Sequence, residues 1–193
     1  ETLVAARLLA ALADPAGKAL LPKVLGGEAI VTIAFHDGAA RPCQWIAGGA
    51  VAQAIIAREG DSLVLIAPGD GPRGEPNLAS TALAEIDLAG ASRTVMAHGP
   101  EAVAAFAEAV EEWKLLVAAA LAGLARQAIE MAAAYAGERK AFGQLIGTFQ
   151  AISHPLAVIF TDVDAGKLLV WKAIRDISDG DPRAAAQVSL ALW

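Results

Sequence analysis

The hydrophobic pattern of this 193-residue chain changes character near residue 100. Before that point, apolar residues come in short runs that are separated by glycine, proline and acidic residues. After it, they recur at helical spacing over long stretches. Short runs are typical of strands, whereas a sustained period of about 3.6 residues is typical of helices. The pattern therefore predicts an α+β chain that is mainly α, with a small antiparallel β domain between helical segments.

The predicted domain boundaries follow from this change and from glycine and proline breaks. Residues 1–27 are predicted to be helical, residues 28–100 to form the small β domain, and residues 101–193 to form a bundle of long helices. Asp14-Pro15 interrupts the first segment, and Gly26-Gly27 ends it. Proline just inside a helix start and glycine just after a helix end are common boundary signals.

Strand candidates in the β domain are the apolar runs bounded by turn residues. In chain order they are Ala29–Phe35, Gln44–Ile46, Val51–Ile56, Ser62–Ala67, Leu78–Leu88 and Ser92–Ala97. The stretch Pro68–Pro76 is rich in glycine and proline and is predicted to be a loop.

In the helical part, periodicity predicts two long antiparallel helices over about 102–140 and 153–178. Ser153 is the expected N-cap of the second helix, since serine is among the preferred residues at that position. A third helix is predicted to begin near Arg183, and the chain stops within it at Trp193 without a capping signal. The helical bundle is therefore expected to be truncated.

Composition narrows the classes of function. The formal net charge of −6 and pI near 5.0 argue against nucleic acid as a partner. The single cysteine, Cys43, allows no internal disulfide, and no cationic signal sequence opens the chain, so a cytoplasmic protein is expected.

The longest apolar run, Leu115–Ala125, is shorter than the roughly 20 residues that a bilayer requires. We therefore expect no membrane association, and burial of this run between helices of an oligomer.

One motif stands out in the helical part. Between Tyr135 and Ile152 the sequence reads Tyr-Ala-x-x-Arg-x-x-Phe-Gly, followed after five residues by Phe-Gln-Ala-Ile. This spacing resembles the start of the C-terminal helical domain of acyl-CoA dehydrogenases, the flavoenzymes that desaturate acyl-CoA thioesters. The segment Leu20–Glu28 also resembles the family's turn that leads into its β domain. The resemblance implies an acyl-CoA dehydrogenase-like fold with residues 1–27 as the remnant of its N-terminal helical domain.

The resemblance also implies a cofactor site for FAD that is shared across a subunit interface. Arg139 would reach the pyrophosphate of an FAD held mainly by the neighbouring subunit, and Phe142 would pack near the adenine. Ile146 and Phe149 would lie alongside, and Gln150 would offer its amide to the hydroxyl groups of the flavin. The residues by themselves allow another interpretation. Arg139 would then be a cation at the end of a helix, and Phe142 and Phe149 would be core residues.

Other motifs of the same family are missing. The family's flavin-ring segment, Thr-Glu-Pro-x-Ala-Gly-Ser-Asp, would follow the first strand, where this chain has His36–Pro42. Trp45–Gly49 resembles the family's Trp-Ile-Thr-Asn-Gly only superficially, because the Thr-Asn pair is absent. Trp113 occupies the helical position at which some members carry their catalytic glutamate, and an indole cannot act as a base. Glu111 and Glu112 are expected to belong to a solvated helix face.

These observations favour the non-catalytic subunit of a heteromeric bacterial acyl-CoA dehydrogenase, with no catalytic residue of its own. Its expected partners are a catalytic subunit, an acyl-CoA substrate with a bulky acyl group such as a steroid side chain, and an electron acceptor. Two alternatives remain open. One is an ordinary homotetrameric acyl-CoA dehydrogenase with its base beyond residue 193, and the other is a helical scaffold without flavin.

Overall fold

The computed structural model describes residues 1–12, 14–69 and 74–193. The chain forms two compact units, Glu1–Glu112 and Trp113–Trp193, which we describe separately. Of the loop predicted at Pro68–Pro76, residues 70–73 lie outside the described residues.

Two short helices open the first unit, as the sequence predicts. Helix α1 spans Thr2–Leu12 and α2 spans Pro15–Leu25. The carboxylate of Asp14 caps α2 by accepting hydrogen bonds from the backbone N–H groups of Ala16 and Gly17, at 2.8 and 3.1 Å. This cap satisfies N–H groups that have no partner within the helix, which explains why the helix restarts at Pro15.

Six strands follow α2 in the described part of the first unit. They are β1 Val31–Ala34, β2 Cys43–Ile46, β3 Ala54–Glu59, β4 Ser62–Ala67, β5 Ala84–Asp87 and β6 Ser92–His98. Strands β1, β3, β4 and β6 form a four-stranded sheet in the order β1-β3-β4-β6, and β2 pairs with β5 in a two-stranded ribbon. The pairings β2–β5, β3–β4 and β4–β6 are antiparallel, whereas β1 and β3 are parallel because β2 lies on the crossover that joins them.

The core of this unit lies between the four-stranded sheet and the ribbon. Apolar side chains from both sheets meet there, namely Ala34, Ile46, Ile55, Ala57, Val64, Ile66, Ala84, Ile86 and Leu88. All four residues of β1 are buried, and the one polar residue among them, Thr32, donates its hydroxyl to the carbonyl oxygen of Ala47. Helix α1 packs on β1 and buries Leu8 and Leu9.

Two strand predictions differ from the structure. The strand predicted at Val51–Ile56 begins at Ala54 instead, because a turn closed by the bond from the N–H of Val51 to the carbonyl oxygen of Gly48 precedes it. The strand predicted at Leu78–Leu88 is confined to Ala84–Asp87. Asn77 accounts for the second difference. Its side chain donates to the carbonyl oxygens of Glu75 and Thr81, and this local turn replaces a sheet ladder.

The helical elements confirm the predicted long helices. Helix α3 spans Pro100–Glu138, α4 spans Gln150–Ser178 and α5 spans Ala184–Leu192. Between α3 and α4 lie β7 Lys140–Ala141, β8 Gln144–Leu145 and a 3-10 helix at Ile146–Thr148. The guanidinium of Arg126 in α3 lies 4.8 Å from the ring centroid of Phe160 in α4, so the two helices approach each other at this point.

Helix α3 is also long and apolar enough to cross a membrane, judged by length and composition alone. Its most apolar window has a mean hydropathy of 1.5, and 11% of that window is buried within the chain. A helix at the centre of a protein assembly satisfies the same criterion. The predicted lack of membrane association therefore stays a prediction.

Candidate functional site

The motif that begins at Tyr135 folds into a tight β-hairpin directly after α3. The N–H of Arg139 donates to the carbonyl oxygen of Tyr135 at 2.9 Å, which continues the helical bonding by one residue. The carbonyl oxygen of Arg139 then accepts from the N–H of Ile146 at 2.8 Å. Strands β7 and β8 pair through Lys140 with Leu145 and through Ala141 with Gln144. Arg139 and Ile146 therefore lie opposite each other at the base of the hairpin.

Phe142 and Gly143 form the two-residue turn of this hairpin. Their φ angles are 52° and 81°, the left-handed values that a type I′ turn requires at both positions. Gly143 adopts such an angle without steric cost, but a bulky residue with positive φ is uncommon and strained. Strain of this kind persists only where the surrounding structure enforces it, and it is concentrated at functional sites.

The Phe142 side chain is 96% exposed, so its interpretation as a core residue is wrong for this chain. Its ring meets the half-buried ring of Phe149 edge to face, with the centroids 6.2 Å apart and the planes at 90°. This is a favourable aromatic geometry. The pair presents an aromatic surface at the tip of the hairpin.

The 3-10 helix fixes the position of the remaining predicted site residues. A Cβ atom on Gly147 would lie 2.9 Å from the carbonyl oxygen of Ala136, so glycine permits the close approach of this turn to α3. The hydroxyl of Thr148 donates to the carbonyl oxygen of Leu145 at 2.6 Å. Ile146 and Phe149 are half-buried as a result, and Gln150 is exposed as the first residue of α4.

Ser153 is not the N-cap of this helix, which corrects the prediction. Helix α4 begins at Gln150 with Phe149 at the cap position, and no side chain caps it. The Ser153 hydroxyl donates to the carbonyl oxygen of Phe149 at 3.2 Å, as serine does inside a helix. The uncapped start leaves backbone N–H groups of the first turn without an intrahelical partner.

Arg139 supplies the positive charge of the site. Its side chain is exposed, and within the described part of the chain it forms no ion pair or side-chain hydrogen bond. A guanidinium carries donors in a planar arrangement that suits two phosphate oxygens at once. The geometry thus brings together a cation, an exposed aromatic pair and the uncapped start of a helix, a combination suited to an anionic group attached to an aromatic ring system.

The loop that follows β1 has a different character, because its own side chains satisfy its backbone. The amide of Gln44 donates to the carbonyl oxygens of His36 and Arg41, at 3.0 and 2.8 Å, and accepts from the N–H of His36 at 3.2 Å. The carboxylate of Asp37 accepts from the N–H groups of Ala39 and Gly60. These bonds close the loop on itself and leave few donors for a ligand.

The acidic residues beside Trp113 are half-buried, which corrects the prediction that Glu111 and Glu112 belong to a solvated helix face. Glu112 pairs with Arg7, so its carboxylate belongs to an ion pair between helices α3 and α1. Trp113 is half-buried. No group of three or more potential metal ligands occurs among the described residues.

Sequence reasoning predicted the residues that this segment carries but missed the hairpin. The notable signal was Phe-Gly at positions 142 and 143, since glycine in a two-residue loop between short runs is typical of a type I′ turn.

Comparison with protein families agrees with this geometry. Residues 103–193 match the acyl-CoA dehydrogenase C-terminal domain family. A stretch of 78 residues is 40% identical to the caffeyl-CoA reductase-Etf complex subunit CarC of Acetobacterium woodii and covers 40% of this chain and 20% of that protein. Another stretch of 66 residues is 38% identical to the probable acyl-CoA dehydrogenase fadE25 of Mycobacterium bovis and covers 34% of this chain and 17% of that protein.

Solved structures extend the likeness to the whole chain. A variant of the Tcur3481-Tcur3483 steroid ACAD superposes with a TM-score of 0.80 at 25% identity, over 100% of this chain and 59% of that chain. Acyl-CoA dehydrogenase from Geobacillus kaustophilus superposes with a TM-score of 0.74 at 21% identity, over 97% of this chain and 60% of that one. This chain thus spans well under two thirds of the proteins that it matches. Residues 103–193 thus match the C-terminal domain of acyl-CoA dehydrogenases, and the chain as a whole has an acyl-CoA dehydrogenase-like fold.

Proposed function

We propose that this chain is a subunit of an FAD-dependent acyl-CoA dehydrogenase and forms the non-catalytic half of a cytoplasmic heteromer. Its hairpin would complete an FAD site whose flavin ring and catalytic base belong to the partner subunit. One contrast carries the proposal. The hairpin directs Arg139 and Phe142 into solvent, whereas the loop after β1 is bonded to itself.

The hairpin fits the pyrophosphate and adenine part of FAD. Arg139 has the planar donors that a pyrophosphate requires and no competing carboxylate among the described residues. Phe142 offers a ring face for the adenine, with Phe149 and Ile146 behind it. Gln150 is exposed, so its amide is accessible to hydroxyl groups of the cofactor.

The β domain does not fit the flavin ring. Ring binding needs backbone or hydroxyl donors that point away from the protein, and Asp37 and Gln44 already engage the donors and acceptors of the loop at residues 36–42. This loop is therefore unsuited to the role that its position in the family would give it.

The dehydrogenation itself requires a base that removes the α-proton of the thioester, and FAD, when bound, would accept the β-hydride. Trp113 cannot take the proton, and Glu112 is engaged by Arg7. The partner subunit would supply the base. A bulky acyl-CoA, such as a steroid thioester, is the proposed substrate, in line with the steroid ACAD named among the similar structures. An electron-transfer protein is the proposed acceptor, and the name of one relative includes Etf.

Expression with and without a partner tests the proposal. We expect the chain to purify colourless alone and to yield a yellow complex when it is co-expressed with an acyl-CoA dehydrogenase subunit that carries the catalytic glutamate. Flavin absorbance of the chain purified alone would instead favour a homo-oligomeric enzyme. A colourless product under both conditions would favour a scaffold without flavin.

Within such a complex, Arg139→Ala tests the cofactor role of the hairpin. A charge-assisted contact contributes roughly 1.5–3 kcal/mol, so FAD affinity should fall about ten- to a hundredfold. Arg139→Lys should restore only part of the affinity, since one ammonium cannot reproduce two parallel donors. Arg175→Ala is the matched control, because it removes an arginine of α4 whose guanidinium pairs with Asp179.

Flavin absorbance after gel filtration provides the measurement. Unchanged FAD affinity in Arg139→Ala would show that Arg139 is only a cation at the end of α3. In that case alanine should cost about 0.3–1 kcal/mol of stability, and lysine should restore it fully.

A further inference from the structure

A shallow groove lies between α2 and the four-stranded sheet, within the first unit. Its volume is about 320 Å³, which is near the lower end of the size of ligand pockets. Leu65 and Ala67 of β4 contribute to its floor, and Ala16 and Leu20 of α2 contribute to its wall. Small side chains on both elements leave the space open, so the groove follows from the alanine content of α2 and β4.

The rim of the groove is polar. Lys23 of α2, Gln53 at the start of β3, and Ser92 and Thr94 of β6 all line it. Ser92 lies opposite Ala67, and Thr94 lies opposite Leu65, across the β4–β6 ladder. The two hydroxyl groups therefore stand beside the apolar floor rather than at a distant edge.

These rim groups are mainly available as donors. Gln53 uses its carbonyl oxygen to accept a hydrogen bond from the N–H of Ile30, which leaves its amide N–H groups. The Lys23 ammonium and the Ser92 and Thr94 hydroxyls have no hydrogen-bond or ion-pair partner in the part of the chain that the structure describes. Among the described residues that line the groove, none carries a carboxylate.

From this arrangement we infer that the groove binds a small amphipathic monocarboxylate, with the carboxylate at Lys23 and an apolar tail over Leu65 and Ala67. A cationic ligand would find one positive charge and no acceptor carboxylate there. An uncharged apolar ligand would form no charge-assisted hydrogen bond with Lys23, so it should bind more weakly. The inference is independent of the FAD site, since every residue involved lies in residues 16–94.

Three ligands with a similar aliphatic chain and different head groups distinguish the contribution of charge to binding from that of apolar contact. Octanoate, octylammonium and octanol should be titrated into the chain, with amide chemical shifts of Ser92 and Thr94 as the readout. We expect saturable binding of octanoate at millimolar concentration or tighter, and at least tenfold weaker binding of the other two. Equal binding of octanoate and octylammonium, or no shift with octanoate at about 10 mM, would overturn the inference.

Matched variants locate the site. Lys23→Gln should weaken octanoate binding about tenfold, because it removes the charge that assists the hydrogen bond. Lys18→Gln removes a charge from an exposed lysine of the same helix that does not line the groove, and it should leave binding unchanged. Ala67→Leu should abolish binding by filling the floor at an exposed strand end. Equal losses in the two lysine variants would show a general charge effect and refute the site.

Discussion

The two compact units of this chain differ in where their apolar side chains lie. In residues 1–112, two sheets and flanking helices enclose a core in which Ile33, Ile55, Leu63 and Ile66 have almost no exposed surface. The second unit encloses much less. Among its described residues, the buried apolar side chains are Ala118, Ile129, Ala136, Val170, Ala173 and Val188.

Large apolar side chains of the second unit are instead exposed on the long helices. Leu124 of α3 is 66% exposed, and Leu168 and Trp171 of α4 are 63% and 60% exposed. Large apolar side chains exposed on long helices are suited to burial in an interface. The first unit is thus built around its own core, whereas the helices of the second are suited to burial against another protein surface.

Two leucine-to-alanine variants should give the largest difference between the units. Leu63 is fully buried in β4, so Leu63→Ala should lower the free energy of unfolding by about 2–5 kcal/mol. Leu168→Ala should change it by less than about 0.5 kcal/mol in the dilute monomer, because the side chain is already in solvent. Denaturant unfolding measures both effects.

In an assay of association, Leu168→Ala should have the larger direct effect of these two variants. Leu168→Ala should weaken assembly in sedimentation velocity without detergent, whereas Leu63→Ala should act only through unfolding. Assembly that is unaffected by Leu168→Ala would remove this side chain from the interface.

Two glycines offer a second comparison. A Cβ atom on Gly49 would lie 2.9 Å from the carbonyl oxygen of Ile46, and one on Gly147 would lie 2.9 Å from that of Ala136. Each alanine variant should cost about 1–3 kcal/mol of stability because backbone must shift. Only Gly147→Ala should also release FAD from the assembled complex, since it displaces the turn that carries Phe149. Equal FAD retention in both variants would contradict the proposed site.

Left-handed backbone provides a third comparison. Among the described residues other than glycine, Ser80 and Phe142 have positive φ, at 51° and 52°. Asparagine tolerates this conformation better than most residues, so Ser80→Asn and Phe142→Asn should each raise stability by up to about 1 kcal/mol. Phe142→Asn should nevertheless weaken FAD binding, whereas Ser80→Asn should not. If Phe142→Asn leaves FAD affinity unchanged, Phe142 does not contribute to FAD binding.

The smallest expected effect is a difference in pH dependence. Burial tends to raise the pKa of Asp37, but hydrogen bonds from Gly60 and Ala39 and the charge of Arg58 outweigh it and lower the pKa. The pKa of Asp181 is also lowered, chiefly by the Arg183 side chain. A lowered pKa stabilises the fold above the ordinary aspartate value of about 3.9, and this contribution is lost as the pH falls through the folded-state pKa.

Asp37→Asn should therefore flatten the acid-induced loss of stability more than Asp181→Asn, because Asp37 joins two loops whereas Asp181 bonds a residue two positions away. Carboxyl titration by NMR and denaturant unfolding between about pH 5 and pH 1 measure this difference. A larger effect of Asp181→Asn on the acid-induced loss of stability would show that Asp181 contributes more to it than Asp37 does.

The candidate site could be predicted from sequence where a local pattern determines geometry. Asp14-Pro15 fixed the break between α1 and α2. The sequence placed Arg139 at the end of the helix predicted over about 102–140, whereas α3 ends at Glu138, and it placed Gln150 before the next helix, whereas α4 begins there. The interpretation of Ser153 as a cap was wrong because tertiary packing of the 3-10 helix against α3 starts α4 three residues earlier. The roles of Arg139, Phe142, Ile146, Phe149 and Gln150 in binding FAD stay predictions.

The sequence by itself determined the class of fold and the match of residues 103–193 to a domain family, because hydrophobic period and motif spacing are properties of neighbouring residues. Tertiary structure alone decided that β1 and β3 are parallel, since strand pairing depends on a crossover that no local pattern encodes. It also decided that Phe142 lies in solvent at positive φ and that Asp37 closes the loop after β1. Exposure and long-range hydrogen bonds depend on residues distant in the chain, so only the folded chain specifies them.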